Sequence, residues 1–110
     1  MNVLDMKYAS SVLERLADAE ELTKKELFSE VRNNSTLDKL IASLEKAKLI
    51  SVDERIEGRR VYGISLTKRG KVVAMLLKMA EKAARGSYPT MPEIEALQKT
   101  FMRSEGNGKQ

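Results

Sequence analysis

The sequence contains no cysteine and no histidine. The first absence excludes disulfides and thiolate metal sites. The second removes the commonest general base and the commonest imidazole ligand. Catalysis would have to rest on carboxylates, lysine, serine or tyrosine. The acids mostly sit on helix surfaces with basic residues at i+3 or i+4, the pattern of solvated charge. The six glycines are scattered, and "EGNGKQ" has no strand before it to make a phosphate loop. An enzyme is therefore not expected, nor a metal, nor a cofactor. Aromatic residues make up only 5%, so aliphatic side chains must fill the core. No apolar run approaches the roughly 18 residues of a membrane span, and no secretory leader pattern opens the chain. A soluble, cytoplasmic protein with no membrane partner is expected.

What is present is ordinary in amount and uneven in distribution. The 110 residues are 42% hydrophobic, enough for one modest core. The net charge is +4. Residues 1–50 carry 8 Lys/Arg against 9 Asp/Glu, residues 51–71 carry 6 against 3, and residues 72–110 carry 6 against 4. The positive excess is densest around "ERIEGRRVYGISLT", Glu54 to Thr67, where a footprint for a polyanion is best sought.

Periodicity predicts a first helix over Met6–Asp18, with Tyr8, Val12, Leu13, Leu16 and Ala17 on one face. "AEEL" reads as a turn. Thr23 and Glu26 then form a capping box for a short second helix carrying Leu27, Phe28 and Val31 and ending near Arg32. Ser35, with Asp38 three residues on, is expected to cap a third helix whose inner stripe is Leu37, Leu40, Ile41, Leu44 and Ala47. Two strands follow, roughly Leu49–Arg55 and Arg60–Leu66. Both apolar sets must face inward, and a one-residue slip would invert a strand. That requirement pairs Val52 with Ile64 and Ile50 with Leu66, and gives an odd-length loop over Glu57–Arg59 with Gly58 easing the turn. Arg60 falls in the inward register near the rim, where it can pair with an acid. A fourth helix starts near Thr67 with a broad apolar surface of Val72, Val73, Met75, Leu76, Leu77, Met79 and Ala80. Gly86 ends it. "SYPTMP" links to a fifth helix, capped by Thr90 with Glu93 and striped by Ile94, Leu97 and Phe101 up to about Arg103. The fold class is mainly α with a small β-hairpin (α+β). Residues 1–86 are expected to form the main domain, 87–104 a C-terminal helix, and 105–110 a disordered tail.

The order helix, helix, helix, hairpin, helix resembles a winged helix-turn-helix domain with a C-terminal helical extension. The resemblance is carried by "LTKKELFSEV", "STLDKLIASLEKAKLI", the arginine hairpin and "YGISLTKRG". Its Leu-Ile after the third helix and Leu-Thr-x-x-Gly opening the fourth are similar to MarR-like and PadR-like regulators. It implies a transcription regulator that binds double-stranded DNA. The third helix, about 35–48, would enter the major groove and present Asn34, Ser35, Thr36, Lys39, Ser43 and Lys46. A helix fits that groove, and short polar side chains reach base edges there. Arg55, Arg59 and Arg60 of the wing, about 54–61, would hold the backbone or the minor groove. Lys24 and Lys25 would touch phosphate. Each has a plainer reading: asparagines and serines turn and cap chains, edge arginines discourage aggregation, and lysines are solvated. Asp38 and Glu45 put negative charge beside the proposed reading face. A homodimer would double the phosphate contacts, and Met75, Met79, Ile94, Leu97 and Phe101 are its expected interface. The alternative is a winged-helix module for protein contacts in a larger complex. Any small-molecule effector is left open.

Overall fold

The computed structural model describes residues 2–108. After a 3-10 turn at Val3–Asp5, the elements are α1 (Ala9–Ala17), β1 (Leu22–Thr23), α2 (Lys24–Val31), α3 (Asn34–Lys46), β2 (Ile50–Glu57), β3 (Arg59–Leu66), α4 (Lys68–Ala84) and α5 (Met91–Gly108). The first helix starts at Ala9 rather than Met6, because Tyr8 takes a left-handed conformation with φ 71°. Such a residue cannot sit inside a right-handed helix. The fifth helix runs on to Gly108 through residues expected in a tail. Residues 109 and 110 of that tail lie outside the described residues. No helix among the described residues is long and apolar enough to cross a membrane.

The core is aliphatic. Val12, Leu13, Leu16, Leu27, Leu37, Leu40, Leu44 and Ile64 are fully buried. The stripes of α1, α2 and α3 therefore converge on the inner face of the sheet. Phe28 and Ala17, placed inward by periodicity, lie at the surface instead; each sits at the edge of its stripe, where the helix turns away from its neighbours.

The hairpin has the expected register: Ile50 opposite Leu66 and Val52 opposite Ile64. Pairing continues to Glu57 opposite Arg59, and Gly58 makes the turn at φ +75°, a conformation glycine adopts without penalty. A third strand was not expected. Leu22 and Thr23, inside and after the stretch read as a turn, pair antiparallel with Ile64 and Gly63. The sheet order is β1-β3-β2. A strand of two residues has no periodicity to read.

The Leu-Thr-x-x-Gly stretch has a packing explanation. Thr67 caps α4 by accepting from the Gly70 N–H at 3.0 Å, and its hydroxyl donates to the Lys48 carbonyl at 2.7 Å. A Cβ on Gly70 would lie 2.0 Å from the Leu49 carbonyl oxygen. Glycine at 70 lets the amino end of α4 rest directly on the entry to β2. The far end of α4 is tied to α5 by a Lys82–Glu93 ion pair of 2.6 Å and to the end of α1 by Lys78–Asp18 at 2.9 Å.

Candidate nucleic-acid interface

The helix-turn-helix begins at a fixed point. The Thr23 side chain accepts from the Glu26 N–H at 3.2 Å, and Glu26 accepts from the Thr23 N–H at 2.8 Å. The Thr23 backbone N–H chiefly, with the Thr23 hydroxyl donating at 3.1 Å, holds the Glu26 carboxyl below its usual range. The box places Lys24 and Lys25 in the first turn of α2. Arg32, in a left-handed conformation with φ 58°, ends α2. Asn33 then caps α3 by accepting from the Thr36 N–H at 2.9 Å. This corrects the expectation for Ser35, which lies inside the first turn. Asparagine and serine cap equally well, so only the backbone path decides between them.

At about 100° per residue, the part of α3 outside its fully buried residues divides into two strips. Asp38, Ile41, Ala42 and Glu45 border a depression of about 300 Å³ whose other wall is Val52, Tyr62 and Ile64 of the sheet. Ser35, Lys39 and Lys46 lie further round, exposed. Thr36 and Ser43 are half-buried on the far side. The strip nearest the wing is thus acidic and apolar, and the basic strip forms the crown.

Two further depressions connect the remaining pieces. One is lined by Thr23, Lys24, Lys25, Arg59, Arg60, Val61 and Tyr62. The other is lined by Lys24, Lys25, Phe28 and Asn34. Lys24 borders all three. The start of α2 therefore lies between the wing tip and the amino end of α3, and wing and helix border one continuous surface. The structure brings together Lys24, Lys25, Asn34, Arg59 and Arg60. Of the cations that follow the wing, Lys71 lines a cavity with Leu16, Met75 and Thr100, and Arg69 donates to the Ala47 carbonyl at 3.4 Å.

The cations of this surface differ in how they are engaged. Lys24 pairs with Asp38. Arg60 pairs with Glu54 at 2.8 Å, as its inward register allowed. Arg55, grouped by sequence with the wing cations, is committed to three carboxylates. Its Nε donates to Glu57 at 3.1 Å, Nη1 to Asp53 at 2.9 Å and to Glu21 at 3.0 Å, and Nη2 to Glu21 at 2.7 Å. These bonds raise the Arg55 pKa, and the Arg55 guanidinium lowers that of Glu21. Among the described residues, Lys25, Lys39, Lys46 and Arg59 have no carboxylate within ion-pair distance. Sequence reasoning missed Glu21 altogether, because it stands 34 positions from Arg55.

Beyond this surface, α5 packs against α4, with the Thr100 hydroxyl 3.5 Å from the Met75 sulfur. Met75, Met79 and Leu97 are half-buried there. Leu76, Met91, Ile94, Phe101 and Met102 remain exposed, Phe101 at 50%.

The element order, the three-stranded sheet and the paired wing define a winged helix-turn-helix. Comparison with solved structures agrees. The chain is similar to a transcriptional regulator homologue from Pyrococcus horikoshii OT3, at 18% identity and TM-score 0.68, covering 76% of this chain and 85% of that one. It is similar to Streptococcus pneumoniae FabT, solved in complex with DNA, at 21% identity and TM-score 0.60, covering 94% and 75%. A Lactococcus lactis ZitR mutant matches at 20% identity and TM-score 0.54, covering 93% and 73%. No protein-family model matches the sequence, and no curated protein matches it significantly.

Proposed function

We propose that the protein is a DNA-binding transcription regulator that acts as a homodimer. The observation that carries the reading is the placement of Lys24 and Lys25 between Arg59 and Arg60 at the wing and Asn34 at the start of α3. Duplex DNA presents two lines of phosphates flanking a groove. A helix crown with basic residues, flanked by two neighbouring basic shoulders at the start of α2 and at the wing, complements that shape. In this reading the crown, with Ser35, Lys39 and Lys46, reads base edges, and Asn34, Thr36 and Ser43 flank it. Lys25 and Arg59 neutralise phosphates. The match to a regulator solved with DNA supports the same direction.

A single copy offers few free cations, so useful affinity calls for two copies. The exposed apolar residues of α4 and α5 supply a surface for pairing, with Ile94 and Phe101 at its centre and Met75, Met79 and Leu97 packed beneath. The acidic, apolar strip beside the wing, with Ile56 72% exposed at its tip, favours the second reading, a protein-contact module.

Titration of random-sequence duplex DNA at two salt concentrations separates them. Counterion release makes DNA affinity fall steeply with salt, whereas a protein-contact module binds duplex at neither concentration. Arg59→Ala or Lys25→Ala should lower the slope of log affinity against log salt by about one each. An unchanged slope removes that residue from the phosphate contacts.

A further inference from the structure

We propose that Glu21 is a positioning residue for DNA binding: it clamps Arg55 and so holds the wing at its working angle to the start of α2. The inference rests on the DNA-binding reading above and concerns how that surface is held together.

The clamp lies on the outer face of the sheet, away from the core. Arg55 and Asp53 alternate along β2 on that face, with Glu57 next toward the tip. Those two bonds are local to one strand and only stiffen it. The bonds to Glu21 are different, because Glu21 lies at the entry to β1, and β1 leads without a break into α2. Arg55 holds both Glu21 carboxylate oxygens, through Nη2 at 2.7 Å and Nη1 at 3.0 Å. The two-pronged bond constrains direction as well as distance. It spans the sheet from β2 to the β1 side, across the central strand.

The space for this bond is made by one residue. Gly63 of β3 pairs with Asp53 on one side and Thr23 on the other. A Cβ there would meet the Glu21 carboxyl carbon and one of its oxygens at 2.6 Å. The carboxylate therefore lies against the bare backbone of residue 63, where any side chain would displace it.

β1 holds only two residues against β3, a weak tether for the helix that follows. The Glu21–Arg55 bond adds a second tether at the same junction. Lys24 and Lys25 begin immediately after β1, and Arg59 lies four residues beyond Arg55. The clamp thus sets the spacing between the two basic shoulders that phosphates must meet together.

The sign of the effect separates positioning from simple charge. Glu21 is negative. If it acted only through charge, Glu21→Gln would tighten binding to a polyanion. A positioning role makes the same change weaken binding, by at least about twofold, with the salt slope unchanged because no phosphate contact is lost. Arg55→Gln should weaken binding with an unchanged slope as well, and the double variant should bind no worse than Arg55→Gln alone. Gly63→Ala leaves every charge in place but displaces the carboxylate, so it should reproduce the loss. Equal or tighter duplex binding by Glu21→Gln overturns the inference. A slope lowered by about one in Arg55→Gln also overturns it, since Arg55 would then be a phosphate ligand.

Hydrogen exchange on the DNA-free protein gives an independent reading. Amides of Ile56–Val61 should exchange faster in Glu21→Gln than in wild type, while those of α3 should not change. Equal exchange in the wing overturns the inference. Failure of the wild type to bind duplex at low salt would defeat the DNA-binding reading instead, and with it the role of Glu21 in binding.

Discussion

Single residues here are decided by what surrounds them. Gly70 illustrates the strictest case. Its missing Cβ admits the Leu49 carbonyl, and backbone cannot move aside as a side chain can. Gly70→Ala should therefore destabilise the fold by about 2–3 kcal/mol, in the manner of an overpacked core, and thermal denaturation measures it. Gly63, by contrast, faces the flexible end of Glu21, so alanine there should cost little stability. Glu14 is a second residue set by its surroundings. Its Oε2 is buried without a hydrogen-bond partner. Burial raises its pKa first, contact with Glu81 next, and Asp18 adds to this while Lys78 opposes it. The raised folded value means the protonated form fits the fold better. Its contribution to stability is therefore present at acid pH and lost as pH rises through the folded value. Glu14→Gln should raise the melting temperature at pH 7, and the gain should disappear as pH falls toward 4.5, the ordinary value. A variant that melts with the wild type at pH 7 would contradict this.

At the scale of elements, caps decide where helices begin. The bond from the Thr36 N–H to Asn33 makes a definite contrast. Asn33→Ala should cost about 1 kcal/mol, and Ser35→Ala should be neutral or slightly stabilising, since alanine favours helix interiors. Urea denaturation of the two variants distinguishes the caps. The α4–α5 junction carries a pH signature of the opposite sign to Glu14. Lys82 chiefly, with the Thr90 N–H, holds the Glu93 carboxyl down to about 2. A lowered folded value gives stability that is present above the ordinary 4.5 and is lost as pH falls from there toward 2. Circular dichroism should show helix loss in that window, reduced in Glu93→Gln. The helices and the hairpin register were legible from the sequence because they rest on local spacing. Inward Ile50, Val52, Ile64 and Leu66 admit only one alignment. The strand β1 was not legible, because two residues paired to a distant strand leave no pattern of their own.

For the whole molecule, the apolar residues left on α4 and α5 are the feature a single copy does not resolve. Several exposed large side chains on one helix pair mark an interaction surface. Sedimentation equilibrium should find a dimer. Replacing Ile94 and Phe101 together with glutamate should shift it to monomer and lower duplex affinity with a fold that still melts cooperatively. Retention of the dimer would place its interface elsewhere. A dimer also makes a geometric statement: the separation of paired α3 helices sets the half-site spacing, about 34–36 Å for successive turns of one DNA face.

The candidate site was only half readable. Sequence alone determined that a basic hairpin follows a helix with a polar crown, since aliphatic spacing dictates which residues must point out. It also marked Lys25, Lys39, Lys46 and Arg59 as surface cations by their positions. Only the tertiary structure decided that Arg55 is spent on Glu21, Asp53 and Glu57, while Arg59 has no carboxylate partner among the described residues. Charges pair through space across the sheet, and the partner that matters most stands 34 residues away along the chain, beyond the reach of any local pattern.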